Sequence, residues 1–174
     1  QVNAQVLLFR FPLTIRFRSA SGAEDQTVFV SKRQEDFYFP LAAAPDLVRV
    51  DPEYTLLAKV NFQVPTPMLL AQLADTNDVI GRLLAVERMG DRSDKDAVAR
   101  LKAVLNTDPF YGVRIEAGKA LRSVHNEDAF SALLDSAAQP DARVRLQVVD
   151  ALGGFYDDRA YAFGCRVIDQ EKNP

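Results

Sequence analysis

The chain has 174 residues, enough for one domain or two small ones. Its hydrophobic fraction of 48% and charged fraction of 26% are ordinary for a soluble globular protein. The net charge of −3, with scattered arginines and lysines, gives no electrostatic footprint for nucleic acid, and no apolar run is long enough to cross a bilayer. No signal peptide is recognisable. The single cysteine, Cys165, excludes an intrachain disulfide and is compatible with a reducing compartment such as the cytoplasm.

The first third of the chain predicts short antiparallel strands. Residues 13–18 alternate between apolar and polar side chains, which is typical of a strand with one buried face. The polar residues 19–26 include a glycine and predict a loop. Residues 27–31 predict the strand that returns from this loop, so the two strands should form a hairpin.

Further strands are predicted in the same third of the chain, at residues 1–11, 36–41, 47–50 and 56–62. Pro40 cannot donate a hydrogen bond to a sheet, so the strand at 36–41 should end there or lie at an edge. Residues 56–62 fit either a last strand or an extended connector. Short antiparallel strands with brief turns predict a small β-sandwich over residues 1–64, and the set is small for a closed one.

The pattern changes at Pro65 and Pro67, after which every segment predicts a helix. Thr66 fits a helix cap, with Pro67 at the first helical position. Seven helices are predicted, at residues 67–74, 78–89, 94–105, 112–124, 127–137, 141–155 and 158–168.

The helix at residues 112–124 has an apolar stripe of helical period. Its members are Val113, Ala117, Ala120, Leu121 and Val124. The pattern returns 31 residues later, and a looser copy lies 32 residues earlier. A second series, Ala97, Ala129 and Ala160, has the same spacing. Two interleaved series of one period predict helical hairpins stacked as an α-solenoid over residues 65–174.

The type of repeat can be narrowed from its local sequence. Tetratricopeptide and ankyrin arrays have similar periods, but their W-x₂-L-G and T-P-L-H signatures are absent. The D-P-x₃-V-R pattern at residues 108–114, with the alanines that follow, resembles a short HEAT-type repeat. The predicted fold class is therefore segregated α+β, a small antiparallel β-sandwich followed by an α-solenoid of HEAT-like hairpins.

The last predicted helix, residues 158–168, matches the first helix of a pair, and no partner follows it. An array normally closes with a polar-faced repeat. We therefore expect the chain to be a fragment of a longer protein, truncated within the helical domain. Its last helix presents Ala160, Phe163, Val167 and Ile168, and weak self-association through this surface is expected.

Five segments occur in an order that resembles a known family. They are FRFPLTIRF, FYFPL, VRVDP, IGR and DPFYGVRIEAGKAL, beginning at residues 9, 37, 48, 80 and 108. The chain resembles the region after the catalytic domain in aminopeptidase N-like zinc metallopeptidases. In that family a small β-sandwich precedes a HEAT-like helical domain that closes over the active site. A non-peptidase relative, a subunit of a general transcription factor, shares the region.

The chain itself lacks the catalytic motif of that family. H-E-x-x-H supplies two zinc-binding histidines and a glutamate that activates water. This sequence has one histidine, His125, which is followed by Asn126. The G-x-M-E-N motif for the substrate amine is also absent. No catalytic residue, metal ligand or cofactor is therefore assigned to this chain, and the resemblance implies zinc only in the parent enzyme.

Three arginines at equivalent repeat positions, Arg82, Arg114 and Arg145, are the candidate binding residues. Stacked helices would place them in a basic row that recognises an acidic partner. The structural alternative is hydrogen bonding between repeats, to the loops at Asp108 and Asp141. His125 is expected in a solvated turn. Cys165 is expected to be buried in packing.

The resemblance implies that the chain is a non-catalytic part of a zinc-dependent aminopeptidase, in which the helices restrict access to the zinc. The expected partners are then the parent's catalytic domain and its peptide substrate, with no nucleic acid and no membrane segment. The alternative is a HEAT-type scaffold that binds a protein and performs no chemistry. The sequence upstream of Gln1 distinguishes the two readings.

Overall fold

A computed structural model of the protein describes residues 8–170. Within these residues, three strands are followed by seven helices, which confirms the α+β class. The chain divides into two compact units, Gln1–Asp75 and Thr76–Pro174. The predicted domain boundary after residue 64 stays a prediction, because compactness alone does not show which part folds independently.

The sheet of the first unit has three antiparallel strands in the order β2-β1-β3. These strands are β1 (Phe11–Ser19), β2 (Gly22–Val30) and β3 (Leu47–Val50). Ser19 pairs with Gly22, so only two residues separate β1 from β2. Gly22 has a φ of 130°, a conformation that glycine adopts at little cost.

The predicted loop at residues 19–26 is wrong, because most of it belongs to β2. Its polar side chains pair across the hairpin. Arg16 donates two hydrogen bonds, of 2.7 and 2.8 Å, to the carboxylate of Asp25. The hydroxyls of Thr14 and Thr27 lie 3.0 Å apart. Cross-strand pairs of this kind stabilise a strand that has few apolar residues.

The strand predicted at residues 36–41 is also wrong, since these residues form no strand. The Glu35 carboxylate accepts hydrogen bonds from the backbone of Ser31 and Lys32, and this local turn competes with strand pairing. Phe39 instead packs its ring on Phe17 of β1, with centroids 4.9 Å apart. Residues 56–62 form no strand, so of the two predicted alternatives the extended connector remains.

The second sheet that a sandwich requires is not present in residues 8–170, where one three-stranded sheet is found. Of the strand predicted at 1–11, the first seven residues lie outside the described part. One side of the sheet carries a helix instead. Helix α1 (Thr66–Ala74) packs against β3, with Leu69 and Gln72 buried, and Arg18 of β1 forms an ion pair with Asp75 at its end.

Six helices form the second unit, and each lies within two residues of its predicted bounds. They are α2 (Val79–Gly90), α3 (Lys95–Thr107), α4 (Tyr111–Val124), α5 (Glu127–Asp135), α6 (Ala142–Gly153) and α7 (Asp158–Gln170). Short polar side chains cap four of them by accepting a backbone N–H bond, as helix starts favour. These caps are Asp78, Asp94, Asn126 and Asp141.

The helices of the second unit stack as the repeat period predicts. Helices α2, α4 and α6 pack side by side in one layer, which we call the even layer. Helices α3 and α5 pack together behind them, and α7 packs on α6. The equivalent stripe residues Met89, Leu121 and Leu152 are all buried, which confirms the repeat. The alanines of the second series, Ala97 and Ala129, are buried as well.

The stripe predicts a large difference between two substitutions on α4. Leu121 is fully buried, and burying a leucine contributes about 1.5–3 kcal/mol. A carboxylate in its place adds a desolvation penalty, so Leu121→Asp should lower the free energy of unfolding by about 4 kcal/mol or more. Lys119 is exposed and pairs only with Glu116, so Lys119→Asp should cost less than about 1 kcal/mol. Equal melting temperatures for the two variants would contradict the assigned stripe.

Candidate functional site

The first candidate arginine, Arg82, lies inside the helical unit. Its side chain is only 2% exposed, and its Nε and Nη2 donate hydrogen bonds of 2.8 and 3.3 Å to the carboxylate of Asp108. Asp108 precedes α4, so the pair links neighbouring repeats. This is the interaction that the structural alternative predicted. Arg82 is therefore enclosed within the helical unit.

The third candidate, Arg145, is half-buried and bonds to the loop before its own helix. Its Nη1 donates to the carbonyl oxygens of Gln139 and Pro140, at 3.0 and 3.1 Å. The neighbouring Asp141 is held by Arg143, whose hydrogen bonds keep the pKa of that carboxyl well below its usual range. These contacts order the start of α6.

The middle candidate, Arg114, differs from both. Its Nε is buried and has no hydrogen-bond partner. Gln139 stands six residues before Arg145, as Asp108 stands six residues before Arg114, so Gln139 takes the place of Asp108 in the next repeat. The Oε1 of Gln139 is buried and also has no hydrogen-bond partner. The second repeat thus keeps the arginine of the Arg82–Asp108 pair but replaces the carboxylate with an amide.

The structure also places the two other residues that the sequence singled out, His125 and Cys165. His125 ends α4 in a left-handed conformation, with a φ of 50°, and its exposed ring stacks on Phe155 at 4.4 Å. The prediction that Cys165 is buried is wrong, because the residue is exposed. It corresponds to Lys102 and Leu134 in the preceding repeats, which are both partly exposed.

Neither a metal site nor a membrane span is evident in the described part of the chain. Residues 8–170 contain no cluster of three or more histidine, cysteine, aspartate or glutamate side chains that could hold a metal ion. Among the helices of these residues, none combines the length and the apolar character that crossing a bilayer requires.

An apolar surface runs across the even layer instead. Directly after the three arginines, the repeats place Leu83, Ile115 and Leu146, which we call the apolar row. Leu146 is 71% exposed, and Leu83 and Ile115 are partly exposed. Ile80 and Phe110, each 38% exposed, extend the row at the helix starts. Because the stripe residues point inward, this row lies on the outer side of the even layer. We call this outer surface the even face.

Charged residues border the apolar row. Four residues after its members, the helices carry the exposed side chains Glu87, Lys119 and Asp150. Lys119 pairs with Glu116 at 3.0 Å and Asp150 with Arg122 at 2.6 Å. An apolar centre with a polar rim is the arrangement found at protein–protein interfaces.

The start of α6 adds an aromatic and a cationic group to this face. The guanidinium carbon of Arg143 lies 3.4 Å from the centre of the Tyr111 ring on α4, a cation–π contact between two repeats. Arg143 precedes Leu146 by one helical turn, and Tyr111 precedes Ile115 by one turn. This contact therefore continues the even face toward the helix starts.

Ion pairs join α3, α5 and α7 on the other side of the even layer. Lys102 of α3 pairs with Asp135 of α5 at 2.7 Å, and Arg159 of α7 pairs with Glu127 of α5 at 2.8 Å. Hydrogen bonds from Arg159 lower the pKa of Asp157 to about 2, so this network stays charged at neutral pH. On α7, Ile168 is exposed while Phe163 and Val167 are partly buried, and self-association through this helix stays a prediction.

Comparison with known proteins bears on the helical part of the chain. A family model described as HEAT repeats matches residues 66–153. The match runs from the first residue of α1 to the last residue of α6. No curated protein matches the chain.

The buried Arg82–Asp108 pair generates a stability prediction. Arg82→Met leaves Asp108 buried with the backbone N–H of Phe110 as its remaining donor, so the free energy of unfolding should fall by about 3 kcal/mol or more. Adding Asp108→Asn should recover part of the loss, because no unpaired charge remains. The matched control is Arg143→Met, whose pair with Asp141 is exposed and should cost less than about 1 kcal/mol. Urea denaturation measures all three, and equal losses for the two single variants would show that the buried pair is not structural.

Proposed function

The chain belongs to the HEAT-repeat family, and from that premise we propose that it is a non-catalytic helical scaffold that binds a protein partner through its even face. Repeat arrays provide extended surfaces of this kind. The observation that carries the proposal is the apolar row, three apolar side chains at equivalent positions, of which the stacking leaves Leu146 exposed and the other two partly exposed. Apolar residues at these positions contribute nothing to the buried stripe, which favours a role in binding.

The occupant that fits the row is an amphipathic helix. Adjacent packed helices are separated by about 8–10 Å, so the row has members at about this spacing. Seven residues of a helix rise about 10.5 Å. In a bound helix that crosses α2, α4 and α6, apolar residues spaced seven apart can therefore contact successive members of the row. Its polar flanks would meet the charged rim.

A finer proposal names the source of that helix. The five ordered segments between residues 9 and 121 support a parent of the aminopeptidase N type. The even face would then contact the catalytic domain, and the zinc site would lie in that domain. Sequence upstream of Gln1 in the parent transcript tests this directly. H-E-x-x-H followed by a later glutamate supports the enzyme, whereas a degraded motif favours a scaffold without peptidase activity.

The even face predicts binding of an amphipathic helical peptide. The probe is a labelled peptide of about three heptads with leucine on one face and alternating charges on the other. Fluorescence anisotropy should show binding, and Leu146→Asp should weaken it about tenfold or more, because a carboxylate replaces the most exposed member of the row.

The matched control places the same charge elsewhere. Ala99 is exposed on α3, outside the even face, so Ala99→Asp should leave the affinity unchanged. Equal weakening by both variants, or no binding by the unaltered chain at about 1 mM peptide, would contradict the proposal. Light scattering that shows self-association abolished by Leu146→Asp would assign the face to a second copy and would contradict it too.

The non-catalytic part of the proposal has its own test. The chain has a single histidine, so H-E-x-x-H cannot be formed. It should therefore not hydrolyse aminoacyl anilides, with or without added zinc. Turnover above the buffer blank that a chelator abolishes would contradict this.

A further inference from the structure

Helix α7 exposes two side chains at positions that the preceding repeats bury. The position of Tyr161 is held by Val98 in α3 and by Phe130 in α5, which are both buried. Tyr161 itself is 77% exposed. The position of Ile168 is held in α3 by Leu105, which is fully buried, whereas Ile168 is 83% exposed. Large side chains at equivalent positions of one array therefore differ in whether a neighbouring helix covers them.

The preceding repeats show what kind of neighbour covers these positions. Helix α4 packs on α3, and α6 packs on α5. The ring of Phe155, which directly follows α6, lies 5.1 Å from the ring of Phe130. Each covering helix is amphipathic, with buried stripe residues such as Val144 and Val148 of α6. Among residues 8–170, no helix takes this place on α7.

Helix α7 is fixed in position by contacts elsewhere on its surface. Arg159 pairs with Glu127 of α5 at 2.8 Å, and its guanidinium carbon lies 4.5 Å from the centre of the Phe130 ring. Phe163 and Val167 are partly buried, and α7 packs on α6. The fold thus presents the exposed side chains on an ordered helix, which lowers the entropic cost of binding a partner there.

Between its two exposed side chains, α7 has a glycine where the preceding repeats have leucine. Leu101 and Leu133 are fully buried, and Gly164 stands at their position. A Cβ atom at Gly164 would meet no other atom of the described residues within 4 Å, so these residues do not require a glycine, which weakens a helix interior. Tyr161 and Ile168 lie one turn to either side on the same face. We call the hollow over Gly164, flanked by these two side chains, the α7 notch.

We infer that the α7 notch is a second docking site, which binds an amphipathic helix that inserts a large apolar side chain over Gly164. The helix takes the place on α7 that α6 takes on α5. Helices pack by inserting side chains into the gaps on a neighbour, and the missing leucine leaves such a gap. Tyr161 suits an interface because its ring is apolar and its hydroxyl can stay in water. The α7 notch lies outside the even face, so the inference does not depend on the proposed function.

The probe is a labelled peptide that copies residues 141–155, the segment that covers α5. A second form of the peptide carries Val148→Phe, a larger side chain at the centre of its stripe. Fluorescence anisotropy should show that the unaltered chain binds the Val148→Phe form about tenfold more tightly than the plain copy, because only the larger side chain fills the α7 notch.

Variants of the chain assign the binding to α7. Gly164→Leu restores the leucine of the preceding repeats, so the plain copy should now bind more tightly than the Val148→Phe form. Tyr161→Asp should weaken both forms about tenfold or more, with little change in melting temperature because Tyr161 is exposed. The matched control is Gly153→Leu, which should change neither affinity. Gly153 is exposed at the end of α6, and a Cβ atom there also meets no other atom within 4 Å.

Four results would overturn the inference. The first is no binding of either peptide at about 1 mM, and the second is a preference that Gly164→Leu leaves unchanged. The third is weakening by Leu146→Asp, which would place the peptide on the even face. The last concerns the self-association predicted from the sequence. Light scattering that shows it abolished by Tyr161→Asp would make a second copy the occupant of α7.

Discussion

Each helical hairpin of the second unit has an apolar stripe that only a neighbouring hairpin can cover. Leu121 and Leu152, which are 31 residues apart, are buried for this reason. Once the stripes are stacked, all the remaining positions of one repeat are also aligned with the equivalent positions of the next repeat. A feature that recurs with the sequence period therefore becomes a row on the surface. The apolar row on the even face follows from this constraint.

Departures from the repeat matter as much as the repeat itself. Arg82 has a buried carboxylate partner in Asp108, whereas the sequence has Gln139 at the position equivalent to Asp108 in the next repeat, and the Nε of Arg114 has no hydrogen-bond partner. One difference in side-chain chemistry converts an internal link into a cation without a partner in the described residues. The ion pair that links the first two repeats is therefore not repeated in the same form at the next junction.

The helices were predictable because burial imposes their period, and local caps such as Asn126 mark where they begin. The sheet was less predictable, since residues 19–26 resemble a loop until the pairing of Asp25 with Arg16 is known. The arginine positions were found from their spacing, but their partners depend on how the loops fold. The apolar row was missed, although its spacing is visible in the sequence, because it lies outside the buried stripe on which the prediction was based.

Covalent footprinting tests most directly whether the even face is a docking surface. Hydroxyl-radical labelling can compare the isolated chain with the protein purified from its natural source together with its bound partners. The account predicts that labelling of Leu83, Ile115 and Leu146 falls in the purified complex, while labelling of Leu134 on α5 is unchanged. Equal labelling of the apolar row in both samples would show that nothing covers the even face, and would contradict the account.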